Sequence, residues 1–179
     1  MTSFVFKLSS TNMKYAYFIV FIFLTFFIKS QTHHKMPKDS VNSDSILNYS
    51  TSFIGTHYKY ASCDPKKGFD CSGFVYYIFS HFNIKAPRSS IDYSNTGKTI
   101  HPDSGKIGDV IVFTGTNSKN RTAGHVGIIT SKLGQELQFI HSSSNKKHSG
   151  VKFSNYKDSP YYEKRFLKIV RITKVYDSH

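Results

Sequence analysis

Apolar and polar positions divide the chain into an apolar leader, a polar stretch and a longer mixed remainder. Residues 15–28 are an unbroken uncharged run of 14, bracketed by Lys14 and Lys29. A bilayer-spanning helix needs about 20 such residues, so the run has the length of the apolar segment of an export signal, with cleavage expected near Ser30. No cysteine directly follows it, which argues against a lipid anchor. Residues 31–45 are polar and read as a linker. The expected organisation is a signal over 1–30, a linker over 31–45 and one working domain over 46–179.

Within the domain the periodicity changes once. Ser45 is placed to cap a short helix through Ile46, Leu47 and Phe53 that ends near Gly55. Over 71–82, Phe74, Val75, Ile78, Phe79 and Phe82 share one helical face, with Asp70 at the amino-terminal cap and Cys71 in the first turn. A short helix is expected over 89–94, after Pro87. Beyond Gly108 the pattern alternates and predicts strands over 110–114, 124–131, 136–141, 151–153 and 165–174. Helices first and strands later, with turn-rich joins, predict an α+β fold on an antiparallel sheet. Gly134 suits the left-handed position of a three-residue hairpin loop that pairs Ser131 with Gln135. That register sets His125 directly across from His141, with Cβ atoms about 4.5–5.5 Å apart.

Composition narrows the picture. Hydrophobic residues are 39% of the chain, with 16 Phe and 12 Tyr, which excludes global disorder. Two cysteines build neither a disulfide scaffold nor a four-cysteine zinc site. The formal charge is +13; removing residues 1–30 takes Lys7, Lys14 and Lys29 and no acid, leaving +10 on the remainder. These cations are dispersed and belong to no zinc finger, phosphate loop or basic helix, so specific nucleic-acid binding is not expected. The charge reads as attraction to an acidic surface.

The candidate chemistry centres on one cysteine and two histidines. Unpaired N–H groups and the helix dipole favour a thiolate at a helix amino terminus, and a thiolate nucleophile needs a base oriented by a third polar group. Cys71, His125 and His141 supply those parts. A buried structural thiol is the plainer reading of a lone cysteine; the Asp-Cys-Ser-Gly context and the facing histidines favour a nucleophile. Cys63 is expected to be a non-catalytic thiol. A metal site from His57, Cys71, His125 and His141 fits no closed zinc spacing, so no metal is assigned.

The segments Gly68-Phe69-Asp70-Cys71-Ser72-Gly73-Phe74-Val75, Pro87-Arg88-Ser89-Ser90, Gly108-Asp109-Val110, Gly124-His125-Val126-Gly127-Ile128 and Phe139-Ile140-His141-Ser142-Ser143 resemble, in order and spacing, the NlpC-type cell-wall cysteine peptidases. The resemblance runs from about Gly55 to Arg171. It implies a papain-like α+β fold with the nucleophile at a helix amino terminus, Cys71 as nucleophile, His125 as base and His141 as its orienting partner. It further implies no cofactor and hydrolysis of peptidoglycan stem peptides, commonly between D-glutamate, through its γ-carboxyl, and the diamino acid. Tyr58, Asp70, Ser72 and Arg88 are its substrate-binding candidates: Tyr58 for the oxyanion or substrate, Asp70 and Ser72 for a free amino group, Arg88 for a carboxylate. The plainer roles are a packing tyrosine, a helix cap and a solvated arginine.

Two departures bear on the pocket: Tyr60-Ala61-Ser62 replaces a Trp-Gly-Gly-like stretch, and Tyr93 replaces a common glutamine. The expected protein is exported to the periplasm, envelope or medium, acts as a monomer on stem peptides or muropeptides, and meets membrane only through its signal. The alternatives are a cysteine-dependent amidase or acyltransferase on another amide, and a noncatalytic basic wall-binding module.

Overall fold

Asn42 opens the first helix of the fold, three residues before the expected cap. In the computed structural model, residues 40–158, 160–172 and 174–176 are described; the expected export signal and most of the expected linker lie outside them. Strand β1 (Ser40–Asn42) leads into helix α1 (Ser43–Thr51). The Asn42 side chain accepts from the N–H of Asp44 at 2.7 Å and of Ser45 at 3.3 Å. Asn42-Ser43-Asp44-Ser45 offers four residues able to cap. The choice falls on Asn42, where β1 ends its parallel pairing with β10 (Lys174–Tyr176). The expected linker over 31–45 is corrected accordingly, because residues 40–45 are built into the domain.

The short antiparallel pair β2 (Cys63–Asp64) and β3 (Gly68–Phe69) delivers the chain to helix α2 (Cys71–His81). Asp70 caps that helix as expected, its carboxylate accepting from the Gly73 N–H at 2.6 Å. Gly73 is required for a packing reason: a Cβ there would sit 2.1 Å from the Ser62 carbonyl oxygen. The segment expected as a short helix after Pro87 is a 3-10 turn over Ser90–Ser94, and its Tyr93 is fully buried.

The remaining elements are β4 (Lys98–Ile100), β5 (Val110–Thr114), β6 (Ala123–Ile129), β7 (Gln138–Ser143), β8 (Gly150–Asn155), helix α3 (Pro160–Arg165) and β9 (Phe166–Arg171). They form a six-stranded sheet in the order β4-β9-β5-β6-β7-β8, with antiparallel neighbours throughout. Both sheet faces are apolar. Val110, Val112, Val126, Ile128, Ile140 and Val170 cluster with Phe74, Val75, Ile78 and Phe79 of α2. Ile111, Phe113, Ile129, Phe139 and Ile169 form a second cluster, covered by Tyr156, Tyr162 and Phe166. A buried ion pair ties the sheet together: Arg171 donates to both oxygens of the fully buried Asp109, at 2.7 and 2.8 Å. The Gly108-Asp109 motif is therefore structural.

The β6–β7 register differs from the expected one by two residues. Ile128 pairs with Ile140 and Ile129 with Phe139, while the Thr130 N–H reaches the Gln138 carbonyl at 2.8 Å. Gln135 folds back onto Lys132 instead of pairing with Ser131. The connection is longer because residues 132–136, Leu133 included, are exposed and turn back on themselves. Side chains alternate with period two, so the slip leaves both histidines on one face. They are diagonal neighbours rather than directly opposed.

Truncating the cap tests the new domain start. Asn42→Ala should cost about 1 kcal/mol, a fall of roughly 3 °C in Tm by calorimetry. An unchanged Tm would show that residues 40–42 contribute nothing to the fold.

Candidate active site

Cys71 stands at the first position of α2, where that helix abuts β6. The Ser142 hydroxyl donates to the Phe69 carbonyl at 2.7 Å, tying the segment before the cysteine to the strand residue that follows His141. Cys71, His125 and His141 all line one cavity of about 750 Å³, together with Tyr58. Cys71 is 9% exposed, so its sulfur is largely desolvated without being sealed away.

The two rings meet edge to face, and His125 Nε2 lies 2.9 Å from His141 Nδ1. Gly127 is the strand residue that permits this. A Cβ there would stand 3.0 Å from the Ile140 carbonyl oxygen and 3.1 Å from the His141 Cβ. The outer nitrogen of His141, Nε2, has two hydroxyl partners: Ser154 Oγ at 3.0 Å and the Tyr162 hydroxyl at 3.3 Å. This arrangement restricts the tautomers. For His125 to accept a proton on Nδ1, its Nε2–H must be donated to His141 Nδ1. His141 then carries its own proton on Nε2 and donates it to Ser154 or Tyr162. A chain of four side chains thus presents a basic nitrogen at one end.

Burial sets the protonation states. Desolvation pushes the Cys71 thiol above its ordinary value, with Asp70 adding to the rise. The Val126 N–H of β6 opposes this first, followed by the helix-tip N–H groups of Ser72 and Cys71, but they do not outweigh burial. Desolvation, followed by the positive charge of Arg165, lowers His125 from 6.5 to about 3. His141 is likewise held well below its ordinary value, by burial first and then by His125, Lys152 and Arg165. Burial thus favours the neutral thiol and the neutral imidazoles, whereas helix-tip reasoning alone favours the anion.

The remaining candidates separate. Tyr58 lines the cavity, half-buried, and burial followed by the nearby Cys71 raises its hydroxyl above the ordinary value. Asp70, Ser72 and Arg88 do not line it. Arg88 grips Asp70 with both terminal nitrogens, Nη1 to Oδ1 at 3.0 Å and Nη2 to Oδ2 at 2.6 Å, and Ser72 donates to the same Oδ1 at 3.1 Å. The three side chains satisfy one another and together hold the helix tip. Cys63 is a free thiol, like Cys71, and lies beside Arg88.

Sequence reasoning missed Ser154, Tyr162 and Arg165. Ser154 lies one residue past the expected end of its strand, and Tyr162 and Arg165 sit on α3, a helix that the alternating pattern does not announce. Arg165 is buried, donates to the Gly115 and Thr114 carbonyls at 2.7 Å each, and lines the cavity.

A helix-borne cysteine set against an antiparallel sheet that carries two histidines is the papain-like arrangement. Residues 55–171 match the NlpC/P60 family, and the chain belongs to it. It is 29% identical to the Gamma-DL-glutamyl hydrolase of Bacillus subtilis over 87% of this chain and 36% of that protein. It is 32% identical to the Murein DD-endopeptidase MepS/Murein LD-carboxypeptidase of Escherichia coli K12 over 71% of this chain and 61% of that protein. The fold matches an NlpC/P60 family protein from Bacillus cereus with TM-score 0.64 and 27% identity, over 74% of this chain and 40% of that one. NlpC2 from Trichomonas vaginalis matches with TM-score 0.62 and 27% identity, over 76% and 48%. The chain thus spans from about a third to three fifths of the length of these curated relatives.

Two measurements follow. A histidine held neutral in the fold is protonated first in the unfolded chain, so its contribution is complete above about pH 6.5 and is lost as the pH falls toward the folded value near 3. For His125 stability should decline by about 1.4 kcal/mol per pH unit over that window. His141→Asn should flatten the slope; a Tm constant from pH 7 to 4.5 would contradict the assignment. Removing both acceptors, in Ser154→Ala with Tyr162→Phe, should lower kcat about tenfold with KM unchanged in steady-state kinetics. An unchanged kcat would detach these hydroxyls from the histidine pair.

Proposed function

We propose that this chain is an exported cysteine peptidase that hydrolyses the stem peptides of peptidoglycan at the γ-D-glutamyl–diamino acid bond. The observation that supports this most directly is the convergence of the Cys71 helix tip and the His125–His141 pair on one cavity. Two relatives are named as a Gamma-DL-glutamyl hydrolase and a murein endopeptidase, and the first aligns with 87% of this chain. The uncharged run over 15–28 supports export to the envelope.

In the proposed reaction His125 Nδ1 takes the Cys71 proton as the sulfur attacks the scissile carbonyl carbon. Because burial favours the neutral forms of both groups, proton transfer accompanies attack rather than preceding it. Negative charge forms on the carbonyl oxygen and is met by the Cys71 N–H and the Tyr58 hydroxyl. The tetrahedral species collapses, the carbon–nitrogen bond breaks, and the leaving amine takes the proton from His125. Water then gives its proton to His125 and attacks the thioester, releasing the acyl product as a carboxylic acid and restoring the thiol. His141 holds His125 in the required tautomer, and the imidazolium charge is spread through the bond between the rings.

Purified peptidoglycan incubated with the wild type should yield new amino termini on the diamino acid, read by mass spectrometry of the muropeptides. Cys71→Ala should yield none, and His125→Ala should be slower by at least about a hundredfold. The same fragments from the wild type and Cys71→Ala would end this reading.

A further inference from the structure

Arg165 belongs to the cavity, yet the proposed chemistry gives it no task. It closes α3 and is only 5% exposed. Its Nε and Nη2 donate to the carbonyls of Gly115 and Thr114, and the Tyr161 ring lies 4.3 Å from its Cζ. Both acceptors are uncharged. Among the described residues no carboxylate pairs with Arg165, and its Nη1 has no protein partner. Yet no fully buried side-chain nitrogen or oxygen there lacks a partner, so Nη1 is not enclosed, and Arg165 is part of the cavity wall.

Buried arginines are ordinarily matched by an acid, as Arg171 is by Asp109 in this fold. The acid of the lining, Asp158, instead accepts from Asn155, and Lys152 adds a second cation to the same wall. The cavity is therefore built with positive charge in excess, concentrated on a guanidinium that is fixed on three sides and open on the fourth.

We propose that Arg165 is the receptor for a carboxylate of the bound peptide, which completes the charge pair that the fold leaves open. This rests on the stem-peptide reading above. Such a peptide offers two carboxylates near the scissile bond: the free α-carboxyl of a glutamate linked through its γ-carboxyl, and the second carboxyl of a diaminodicarboxylic acid. Both suit a guanidinium equally. A kinetic consequence separates this role from simple anchoring. The Arg165 charge opposes protonation of both histidines, so a carboxylate placed on it makes His125 a stronger base when substrate is bound. Loss of that carboxylate therefore lowers kcat as well as raising KM.

The test uses four synthetic peptides, with the glutamate α-carboxyl free or amidated and the diamino acid carrying or lacking its second carboxyl. One of the two replacements should lower wild-type kcat/KM by about 30-fold, with part of the loss in kcat, and which one it is identifies the source. In folded Arg165→Gln that ratio should shrink to within about threefold. If this variant does not fold, Arg165→Lys keeps the charge without the fork and should lose roughly tenfold of the discrimination. Wild-type cleavage of all four peptides at similar kcat/KM would overturn the assignment and leave the hydrolase reading standing. Discrimination that survives intact in a folded Arg165 variant would overturn it too. Cleavage of none of them would overturn both readings together.

Discussion

A hydrogen bond of 2.9 Å between two buried imidazoles governs the candidate site, and among the described residues no carboxylate bonds to either ring. In water two imidazoles gain little from meeting. Here both rings are largely buried, so each nitrogen turned away from the cavity must find a partner or be left unsatisfied at a cost of about 1–3 kcal/mol. That requirement organises the surroundings. Gly127 leaves the space, the Phe113 and Phe139 rings wall it, and Ser154 and Tyr162 serve the one nitrogen that faces outward. The same desolvation keeps the rings uncharged, which is the state a base must hold before it acts.

The cysteine side is held by a different device. Asp70 gathers the Gly73 N–H, the Ser72 hydroxyl and the Arg88 fork, so one carboxylate fixes the helix tip to the loop that follows Pro87. A fork of this kind is among the stronger polar contacts a protein makes, and it is unlike the flexible surface pairs that contribute little. Opening the fork would strand charge at a site where Asp70 is only 7% exposed. Arg165, the buried guanidinium near the site, holds only carbonyl oxygens.

Much of this was legible along the chain. The apolar face behind Cys71, the Asp70 cap, the alternation beyond Gly108 and the shared face of His125 and His141 are local or period-two properties. They survive errors of register because a slip of two residues returns every side chain to its own side. The position of the hairpin loop was not legible, since its polar residues allow several closures of similar energy. Nor was α3, a single helical turn and a half whose Tyr161, Tyr162 and Arg165 suit a strand equally well by pattern. The first cap was missed because four successive residues could serve, and the choice depends on a strand pairing with residues more than 130 positions later.

By itself, then, the sequence determined the class of fold, the helix that presents the cysteine and the side of the sheet on which the histidines stand, because these follow from periodicity and from the chemistry of a helix end. Tertiary structure decided which charges are spent on each other and which remain open. Asp70 and Arg88 are 18 residues apart, and Arg165 reaches carbonyls 50 residues away. No local rule says which of two arginines will meet an acid and which only backbone. That outcome depends on what each guanidinium finds once burial has removed water as an alternative partner.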